Sequence, residues 1–366
     1  MTTIVETTLN APAPESFDFS RTAAFMNKVV GDLSGAVISF MCTLGDRLGL
    51  FKKLADGPAS STELALRTGM NERYIREWLN SLTAAGYLHY DPSDKRFSLP
   101  PEHAPVLAQE GGLMFMGGVY QHLPGLFGPL EKLTEVFRNG GGIQPSTYGE
   151  DFRKGMERIS GSWFENMLVQ QWIPAMEGLQ AKLKNGADVA DIGCGSGLAL
   201  ITMARSFPKS RFVGYELFGP SVARATANAE AAGVADRVRF EQRDVVDGLS
   251  QQYDLITSFD VLHDIANPAA VLRGIQNALR SDGTYLLLEI RCSEHLEENR
   301  GPIAAILYGT SVCFCTPTSL AYGAEGLGTM GMPGAKVTQL CAEAGFSRVR
   351  QLPFENPFNV LYEIRP

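Results

Sequence analysis

The amino-acid sequence predicts an α/β fold, in which a mostly parallel sheet with helices on both faces follows a helical N-terminal region. From residue 187 onward, strand-like apolar runs alternate with helix-like segments, and such alternation is typical of a parallel sheet. Seven runs are predicted as strands: 187–192, 211–216, 237–243, 253–259, 283–291, about 346–352 and 358–364. Before residue 187 the spacing of apolar residues is mostly helical.

Length and composition limit the classes of protein that the chain can belong to. The 366 residues fit two or three folded units, and 45% apolar with 20% charged residues is ordinary for a soluble globular protein. No uninterrupted run of eighteen apolar residues occurs, and no basic start precedes an apolar run, so we expect no membrane span, no secretory signal and a cytoplasmic location. The net charge of −8 argues against broad attraction to nucleic acid.

The N-terminal region begins with a polar, proline-containing segment, residues 1–20, which is predicted to be a disordered tail. From Arg21 to about Leu54 the apolar residues form a helical stripe that is too wide for a lone surface helix. We therefore expect this stripe to pack against a second copy of the chain or against the rest of the N-terminal domain.

A compact helical unit follows the stripe. Ser60 or Ser61, with Glu63 close behind, predicts one helix start, and Asn71 predicts another. The segment 87–100 then reads as two short strands joined by a Pro-Ser-Asp turn. Helix, turn, helix and hairpin together resemble a winged-helix module, and residues 21–105 are predicted to form a winged-helix-like dimerisation domain.

The next two predicted units differ in character. Residues 106–180 are mainly helical, with a breaker at 139–142, and are interpreted as a helical linker that caps the active site. Residues 181–366 form the predicted α/β domain, interrupted by an apolar insertion at 301–333 that we interpret as a lid over a dry, apolar pocket.

The first strand of the α/β domain runs into a glycine-rich turn. Asp191 and Ile192 end the strand, and Gly193-Cys194-Gly195-Ser196-Gly197 leads directly into a helix. Glycine allows a sharp turn and the close approach of a ligand to the backbone. The spacing is G-x-G-x-G, and Leu198 stands where a dinucleotide site needs its third glycine. Asp191 would repel a pyrophosphate, whereas it suits a ligand with a positive ammonium, such as S-adenosylmethionine.

Acidic residues also stand at the ends of the next two strands. Glu216 ends the second strand, where a carboxylate can accept hydrogen bonds from both hydroxyls of a ribose. Asp244 follows the third strand and is placed to accept from an exocyclic adenine amine. Three acidic residues at successive strand ends favour an adenosine-containing ligand over solvated loop carboxylates.

With these motifs, residues from about 145 to 366 resemble the class I methyltransferases, whose sheet is Rossmann-like. The two-part layout is similar to small-molecule O-methyltransferases with a winged-helix dimerisation domain, and to bacterial methyltransferase-like proteins of which some are labelled as regulators. The resemblance implies S-adenosylmethionine as cofactor, S-adenosylhomocysteine (SAH) as product, a small-molecule methyl acceptor and a homodimer. It also implies a set of cofactor-lining residues: Asp191, Gly193, Cys194, Gly195, Glu216, Leu217, Asp244, Val245 and Phe259.

The same resemblance implies the catalytic residues. The triplet Leu262-His263-Asp264 matches a loop whose histidine removes the acceptor proton in the O-methyltransferases. Histidine suits this work because its pKa lies near neutrality. Glu289, near the end of the fifth strand, matches a carboxylate that orients the histidine. We therefore predict His263, Glu289 and Asp264 as catalytic residues, although His263 could instead pack the next helix and Glu289 could belong to a structural ion pair.

No metal is predicted from the sequence. Metal-dependent catechol-type enzymes use an acidic cluster that includes an Asp-Asn pair, and the fifth strand has no such pair. Cys313-x-Cys315 has neither a second pair nor a histidine nearby in the sequence, so packing is the favoured interpretation of these thiols.

Three further functions stay open beside oxygen methylation. Sulfur or nitrogen can be the acceptor atom, since a thiol needs less help from a base. A winged-helix regulator that senses S-adenosylmethionine is the rival class, although Glu72 and Glu77 accompany Arg73 and Arg76 on the second predicted helix, and a surface that reads DNA should be clearly basic. An inactive methyltransferase fold is the third.

Overall fold

The N-terminal part of the computed structural model folds as a helical unit with a small hairpin. The structure describes residues 18–323 and 325–366, so the predicted tail lies outside the described residues as far as residue 17. The first elements are α1 (Phe19–Arg47), α2 (Leu50–Ala55), α3 (Ser61–Thr68), α4 (Glu72–Ala84), β1 (His89–Asp91), β2 (Arg96–Ser98) and α5 (Ala104–Leu107). The antiparallel pair β1–β2 is the predicted hairpin.

Local sequence signals account for the boundaries of these helices. Ser60 and Glu63 form a reciprocal capping box at the start of α3, and Asn71 caps α4 by accepting from the backbone N–H of Arg73. The apolar stripe predicted from Arg21 to Leu54 is divided between α1 and α2. The division falls at Gly49, whose φ of +67° is a left-handed conformation that glycine adopts at little cost.

Helix α1 packs against α2, α4 and α6 with its C-terminal part only. Much of its apolar stripe faces solvent in the single chain, with exposed fractions of 65% for Phe25, 63% for Leu33 and 59% for Val37. By length and hydropathy alone, two helical segments could cross a membrane, Phe19–Arg47 and Pro302–Ala321, with mean hydropathies of 1.3 and 1.4. The expectation of no span used uninterrupted apolar runs, a stricter criterion. The criterion of helix length and mean hydropathy is also met by core helices and interface helices of soluble proteins.

A helical middle region connects this unit to the sheet. It consists of α6 (Gly117–Phe127), α7 (Leu130–Asn139), a 3₁₀ turn (Pro145–Tyr148), α8 (Gly149–Trp163), a π-helical continuation (Phe164–Trp172) and α9 (Leu179–Asn185). The predicted helical stretch 102–137 is therefore three helices, which are separated at Gly111-Gly112 and at Gly128-Pro129. Helix α8 packs along α6, and α6 packs against α1, which ties the middle region to the N-terminal unit.

The C-terminal part alternates strands and helices as predicted. Its elements are β3 (Asp188–Ile192), α10 (Leu198–Ser206), β4 (Arg211–Glu216), α11 (Gly219–Ala231), β5 (Val238–Gln242), β6 (Tyr253–Phe259), α12 (Pro268–Ala278), β7 (Leu279–Ile290), α13 (Pro302–Thr310), α14 (Thr316–Ala321), α15 (Gly334–Glu343), β8 (Arg348–Gln351) and β9 (Asn359–Arg365). A π-helical turn, Ser311–Cys315, joins α13 to α14.

The strands form one seven-stranded sheet in the order β5-β4-β3-β6-β7-β9-β8. The first five are parallel, and β9 runs antiparallel to β7 and β8. Two apolar clusters cover the two faces of the sheet, and the central strands are buried on both. The predicted α/β class with a Rossmann-like seven-stranded sheet and an N-terminal helical domain is confirmed. The carboxyl ends of β3, β4, β5, β6 and β7 meet at one edge, where ligands bind in open α/β folds.

Candidate active site

The glycine-rich turn after β3 adopts a conformation that other residues would resist. Gly193, Gly195 and Gly197 have φ values of +64°, +53° and +78°. A Cβ on Gly193 would lie 2.6 Å from Val261, and one on Gly197 would lie 2.5 Å from Phe240. A Cβ on Gly195 would meet no atom within 4 Å. The middle glycine therefore borders open space at the sheet edge, where a ligand can approach the backbone.

Asp191 is a buried carboxylate directly behind this turn. It is 2% exposed and accepts a 2.7 Å hydrogen bond from the hydroxyl of Thr257 on the neighbouring strand β6. Burial raises the pKa of Asp191 to about 7, against the effect of the Thr257 hydrogen bond. A cationic partner would stabilise the ionised form of this buried carboxylate, because it replaces the interactions with water that burial removes.

Glu216 joins the end of β4 to the glycine turn. Its two carboxylate oxygens accept from the backbone N–H groups of Gly195, at 3.0 Å, and Phe218, at 2.9 Å. Burial raises the pKa of Glu216 and these backbone bonds oppose the shift. An ionised carboxylate has about four acceptor positions, so two stay free for the hydroxyls of a ribose.

The other predicted cofactor residues lie around the same edge in different environments. Asp244 is exposed and caps a short 3₁₀ turn by accepting from the backbone N–H of Val246. Cys194 is buried against Gly214 of β4, while Leu217 is 40% exposed. Val245 is half-buried. Phe259 packs its ring against Phe164 and Trp172, with centroids 4.9 Å and 5.8 Å apart.

On the other side of β6, the loop 260–264 places His263 beside β7. The Nδ1 of His263 lies 2.8 Å from Oε2 of Glu289, and the backbone N–H of His263 donates to Oε1 of the same carboxylate at 3.1 Å. Both side chains are buried, with exposed fractions of 3% and 0%. The Nδ1–H therefore donates to Glu289, and in the neutral imidazole the lone pair is on Nε2. Burial by itself lowers the pKa of His263, but the charges of Glu289 and Asp264 outweigh it and raise that pKa.

The free nitrogen of His263 faces the lid. Nε2 lies 3.8 Å from the Sγ of Cys315 and 3.6 Å from Oδ1 of Asp264. The hydroxyl of Thr329 donates to the same sulfur at 2.9 Å. Thr329, Cys315, His263 and Glu289 thus form a continuous polar chain from the lid to strand β7. The Nε2 side of the histidine is thus lined by a buried thiol for which the sequence favoured a packing role.

Beneath this loop lies a polar residue that the sequence did not predict, Asn359 on β9. Asp260 has a left-handed φ of +54° and accepts a 2.6 Å hydrogen bond from the amide of Asn359 on β9. Burial raises the pKa of Asp260 to about 7. The bond from Asn359 holds the start of the loop that carries His263. No spacing rule relates the two positions, which are 99 residues apart.

The predicted lid, 301–333, lies over this part of the edge. Its backbone is held from the middle region, since the hydroxyl of Tyr148 donates to the carbonyl of Cys313 and the N–H of Ile143 donates to the carbonyl of Pro317. Phe314 packs against Tyr148 and Phe152, with ring centroids 4.9 Å and 4.5 Å apart. Tyr148 and Phe152 of the middle region therefore contact the lid. Phe164 and Trp172 lie in the sheet core instead.

Together these features can hold a cationic, ribose-containing ligand at one end and remove a proton at the other. Asp191, Glu216 and the open space at Gly195 fit the ligand. The pair of His263 and Glu289 presents a basic nitrogen in a water-poor environment at the same edge of the sheet.

Comparison with known proteins finds two family models that match separate parts of the chain. Residues 36–109 match a family model described as an Rv2258c-like winged HTH domain, and residues 183–344 match one described as a methyltransferase domain. The 3-hydroxy-5-methyl-1-naphthoate 3-O-methyltransferase of Streptomyces sahachiroi is 26% identical over 323 residues, which cover 84% of this chain and 86% of that protein.

Solved structures share the fold over nearly the whole length. The mitomycin 7-O-methyltransferase MmcR superposes with a TM-score of 0.68 at 21% identity, covering 95% of this chain and 100% of that chain. PigF, solved with SAH, gives a TM-score of 0.68 at 22% identity and covers 93% of this chain and 99% of that chain.

Proposed function

We propose that this chain, an S-adenosylmethionine-dependent methyltransferase with an N-terminal winged-helix domain, methylates an oxygen atom of a small, largely apolar acceptor. The observation that carries the proposal is the buried pair of His263 and Glu289 at the carboxyl edge of the sheet, next to the glycine turn. An oxygen acceptor needs such a base, because a phenol has a pKa of about 10 and is a poor nucleophile until it loses its proton.

The residues on the cofactor side fit S-adenosylmethionine, which when bound supplies the methyl group on its sulfonium. Asp191 would hold the ammonium group, whose positive charge would offset the cost of burying this carboxylate. Glu216 would bind the ribose hydroxyls and Asp244 the adenine amine. Gly195 leaves room beside the backbone for the ligand.

On the acceptor side, His263 and Glu289 divide the work between them. The Nε2 of His263 takes the proton of the acceptor hydroxyl, so that the oxygen can form its bond to the methyl carbon. Glu289 accepts from Nδ1–H, which fixes the tautomer and stabilises the imidazolium that forms. Asp264, whose Oδ1 lies 3.6 Å from Nε2, adds a second negative charge near the developing cation.

The lining of the lid supports an apolar, aromatic-sized acceptor. Phe314, Tyr148 and Phe152 form an aromatic group between the lid and α8. Two relatives, the naphthoate 3-O-methyltransferase above and a mitomycin biosynthesis 6-O-methyltransferase of Streptomyces lavendulae, are named as O-methyltransferases, which supports oxygen as the acceptor atom. The rival DNA-binding role lacks support, because Arg73 and Arg76 are both paired within α4, with Glu77 and Glu72.

A panel of acceptors tests the proposal. Phenols, hydroxylated quinones, thiols and amines are screened by the release of SAH, with wild-type protein and with His263→Ala. We expect turnover on at least one hydroxylated ring, and its loss by about 10²–10⁴ in the variant while the cofactor affinity stays unchanged. Near-normal turnover of His263→Ala on that acceptor would remove the general-base role.

We also propose a soluble, cytoplasmic homodimer formed through α1. Its exposed apolar stripe, which includes Leu33 and Val37, is contiguous along the helix, and such exposed stripes mark interaction surfaces. The double variant Leu33→Asp/Val37→Asp is expected to be monomeric in light scattering, whereas Leu66→Asp, at an exposed apolar position on α3, keeps the wild-type mass. A monomeric wild-type protein would contradict the proposal.

A further inference from the structure

Two potential metal ligands lie beside Nε2 of His263, which is itself a third. The Nε2 of His263, a carboxylate oxygen of Asp264 and the Sγ of Cys315 all lie within 4.8 Å of one another. Nε2 is 3.6 Å from Oδ1 of Asp264 and 3.8 Å from Sγ. Zinc binds nitrogen and oxygen at about 2.0–2.2 Å and sulfur at about 2.3 Å, so two ligands of one ion lie roughly 3–4 Å apart. Only a small contraction is therefore needed for one ion to bind all three.

The hydrogen bond on the far side of His263 favours metal binding in the same way as it favours proton transfer. Histidine ligands in metal sites usually donate their second ring N–H to a carboxylate, which fixes the tautomer and raises the basicity of the ligating nitrogen. Glu289 accepts from Nδ1 at 2.8 Å and thus occupies this position. The lone pair on Nε2 already points into the cluster.

A separate observation also points to a missing cation. Oδ1 of Asp264 is buried and accepts no hydrogen bond from any residue that the structure describes. Nε2 of His263 lies 3.6 Å from this oxygen, beyond hydrogen-bond distance, so a bound cation would satisfy the buried oxygen more fully. The rest of this side chain is 29% exposed, so the cluster has a route to solvent.

We propose that His263, Asp264 and Cys315 bind a thiophilic divalent cation, of which Zn²⁺ is the model, and that the bound ion blocks the basic nitrogen. One sulfur and one imidazole nitrogen select zinc-like ions over magnesium and calcium, which prefer oxygen ligands. Three protein ligands leave a fourth position for water.

Binding of the ion releases protons from its ligands and involves no change of oxidation state. Cys315 loses its thiol proton to solvent and binds as the thiolate, while Thr329 continues to donate its hydroxyl to the sulfur. His263, where it is protonated, loses the Nε2 proton to solvent and contributes the lone pair that would otherwise take the acceptor proton. Loss of turnover with the ion bound therefore rests on the proposed general-base role, whereas binding itself does not.

Cobalt substitution tests binding without any assay of activity. Purified metal-free protein is titrated with Co²⁺, and we expect tetrahedral d–d bands in the visible together with a thiolate-to-cobalt charge-transfer band. Cys315→Ser should lose the charge-transfer band and bind Zn²⁺ on the order of a hundredfold more weakly in competition with a chelating dye. Asp264→Asn should retain the charge-transfer band with weaker affinity.

Cys313→Ser is the matched control, since Cys313 lies in the same π-helical turn and is outside the cluster. It should show the wild-type spectrum. The proposed site would be wrong if the wild type showed no charge-transfer band. It would also be wrong if Cys313→Ser lost the band while Cys315→Ser kept it.

Inhibition is measured separately on a hydroxylated acceptor found in the panel. Stoichiometric Zn²⁺ should abolish turnover of the wild type, and a chelator should restore it, while Cys315→Ser should resist the same Zn²⁺ concentration. Spectroscopic binding without inhibition would overturn the blocking effect and count against His263 as the base. Inhibition that Cys315→Ser shares fully would overturn the assignment of the ligands and leave the proposed function untouched.

Discussion

The two halves of the candidate site lie at the same sheet edge but are built from different kinds of contact. The cofactor half, from Asp191 to Glu216, depends on a short loop whose three glycines adopt left-handed conformations within five residues. The base half depends on side chains from separate elements, since His263 and Glu289 are 26 residues apart and His263 and Cys315 are 52 apart. A cofactor shared by many enzymes can be held by local backbone, whereas a reaction needs side chains placed against one another.

If the halves work separately, changes in the base half should alter turnover and spare cofactor affinity. The largest expected effect within this comparison comes from Glu289→Gln, which keeps the size of the side chain and removes its charge. A hydrogen bond to a charged group contributes about 1.5–3 kcal/mol, and its loss should lower kcat by about 10–100-fold. SAH release gives the rate, and calorimetry with SAH should give an unchanged Kd. A fall in affinity of equal size would show that the halves are coupled.

Changes in the cofactor half should instead alter cofactor affinity. Asp191 allows this to be tested by varying the pH. Its pKa is raised to about 7 in the free protein, so the carboxylate that binds an ammonium is progressively protonated below that pH. The affinity for SAH should therefore fall by about tenfold per pH unit below pH 7. Calorimetry between about pH 5 and pH 7.5 measures it.

The matched variant is Asp191→Asn, which should bind weakly and with little dependence on pH over this range. Protonation of Asp191 affects folding stability and SAH binding in opposite directions. Because the folded pKa of Asp191 lies above the unfolded value, this residue's contribution to stability is full at low pH and is lost as the pH rises through about 7. An Asp191→Asn protein with the wild-type pH profile would remove this carboxylate from the cofactor site.

The smallest expected effect comes from alanine at two glycines. Comparing them distinguishes the cost of a strained backbone from the loss of space for the ligand. Gly195 and Gly233 both have left-handed φ values, +53° and +68°, and a Cβ on either would meet no atom within 4 Å. Alanine at each position should cost about 1–2 kcal/mol of unfolding free energy. Only Gly195→Ala should also weaken SAH binding, because its Cβ enters the space left for the ligand. Denaturant titration and calorimetry on both variants decide this, and equal loss of affinity would refute the contact.

Much of the fold could be predicted from the sequence because its signals are local. The seven strands, the capping box at Ser60 and the glycine turn each depend on residues within a few positions of one another. The helical spacing of apolar residues was less informative about where one helix ends and the next begins. The stretch 102–137 contains Gly111, Gly112 and Pro129, and these divide it into three helices.

The sequence alone determined the type of cofactor site, because turn conformation and strand ends place Asp191, Gly195 and Glu216 with little help from distant residues. Only the tertiary structure decided what faces the free nitrogen of His263. The sequence interpretation set Cys315 aside for lack of a neighbouring histidine, and the folding of the lid over β6 and β7 brings His263 to 3.8 Å from its sulfur. No residue spacing encodes such a contact, since it depends on how two elements far apart in the chain pack on the same sheet edge.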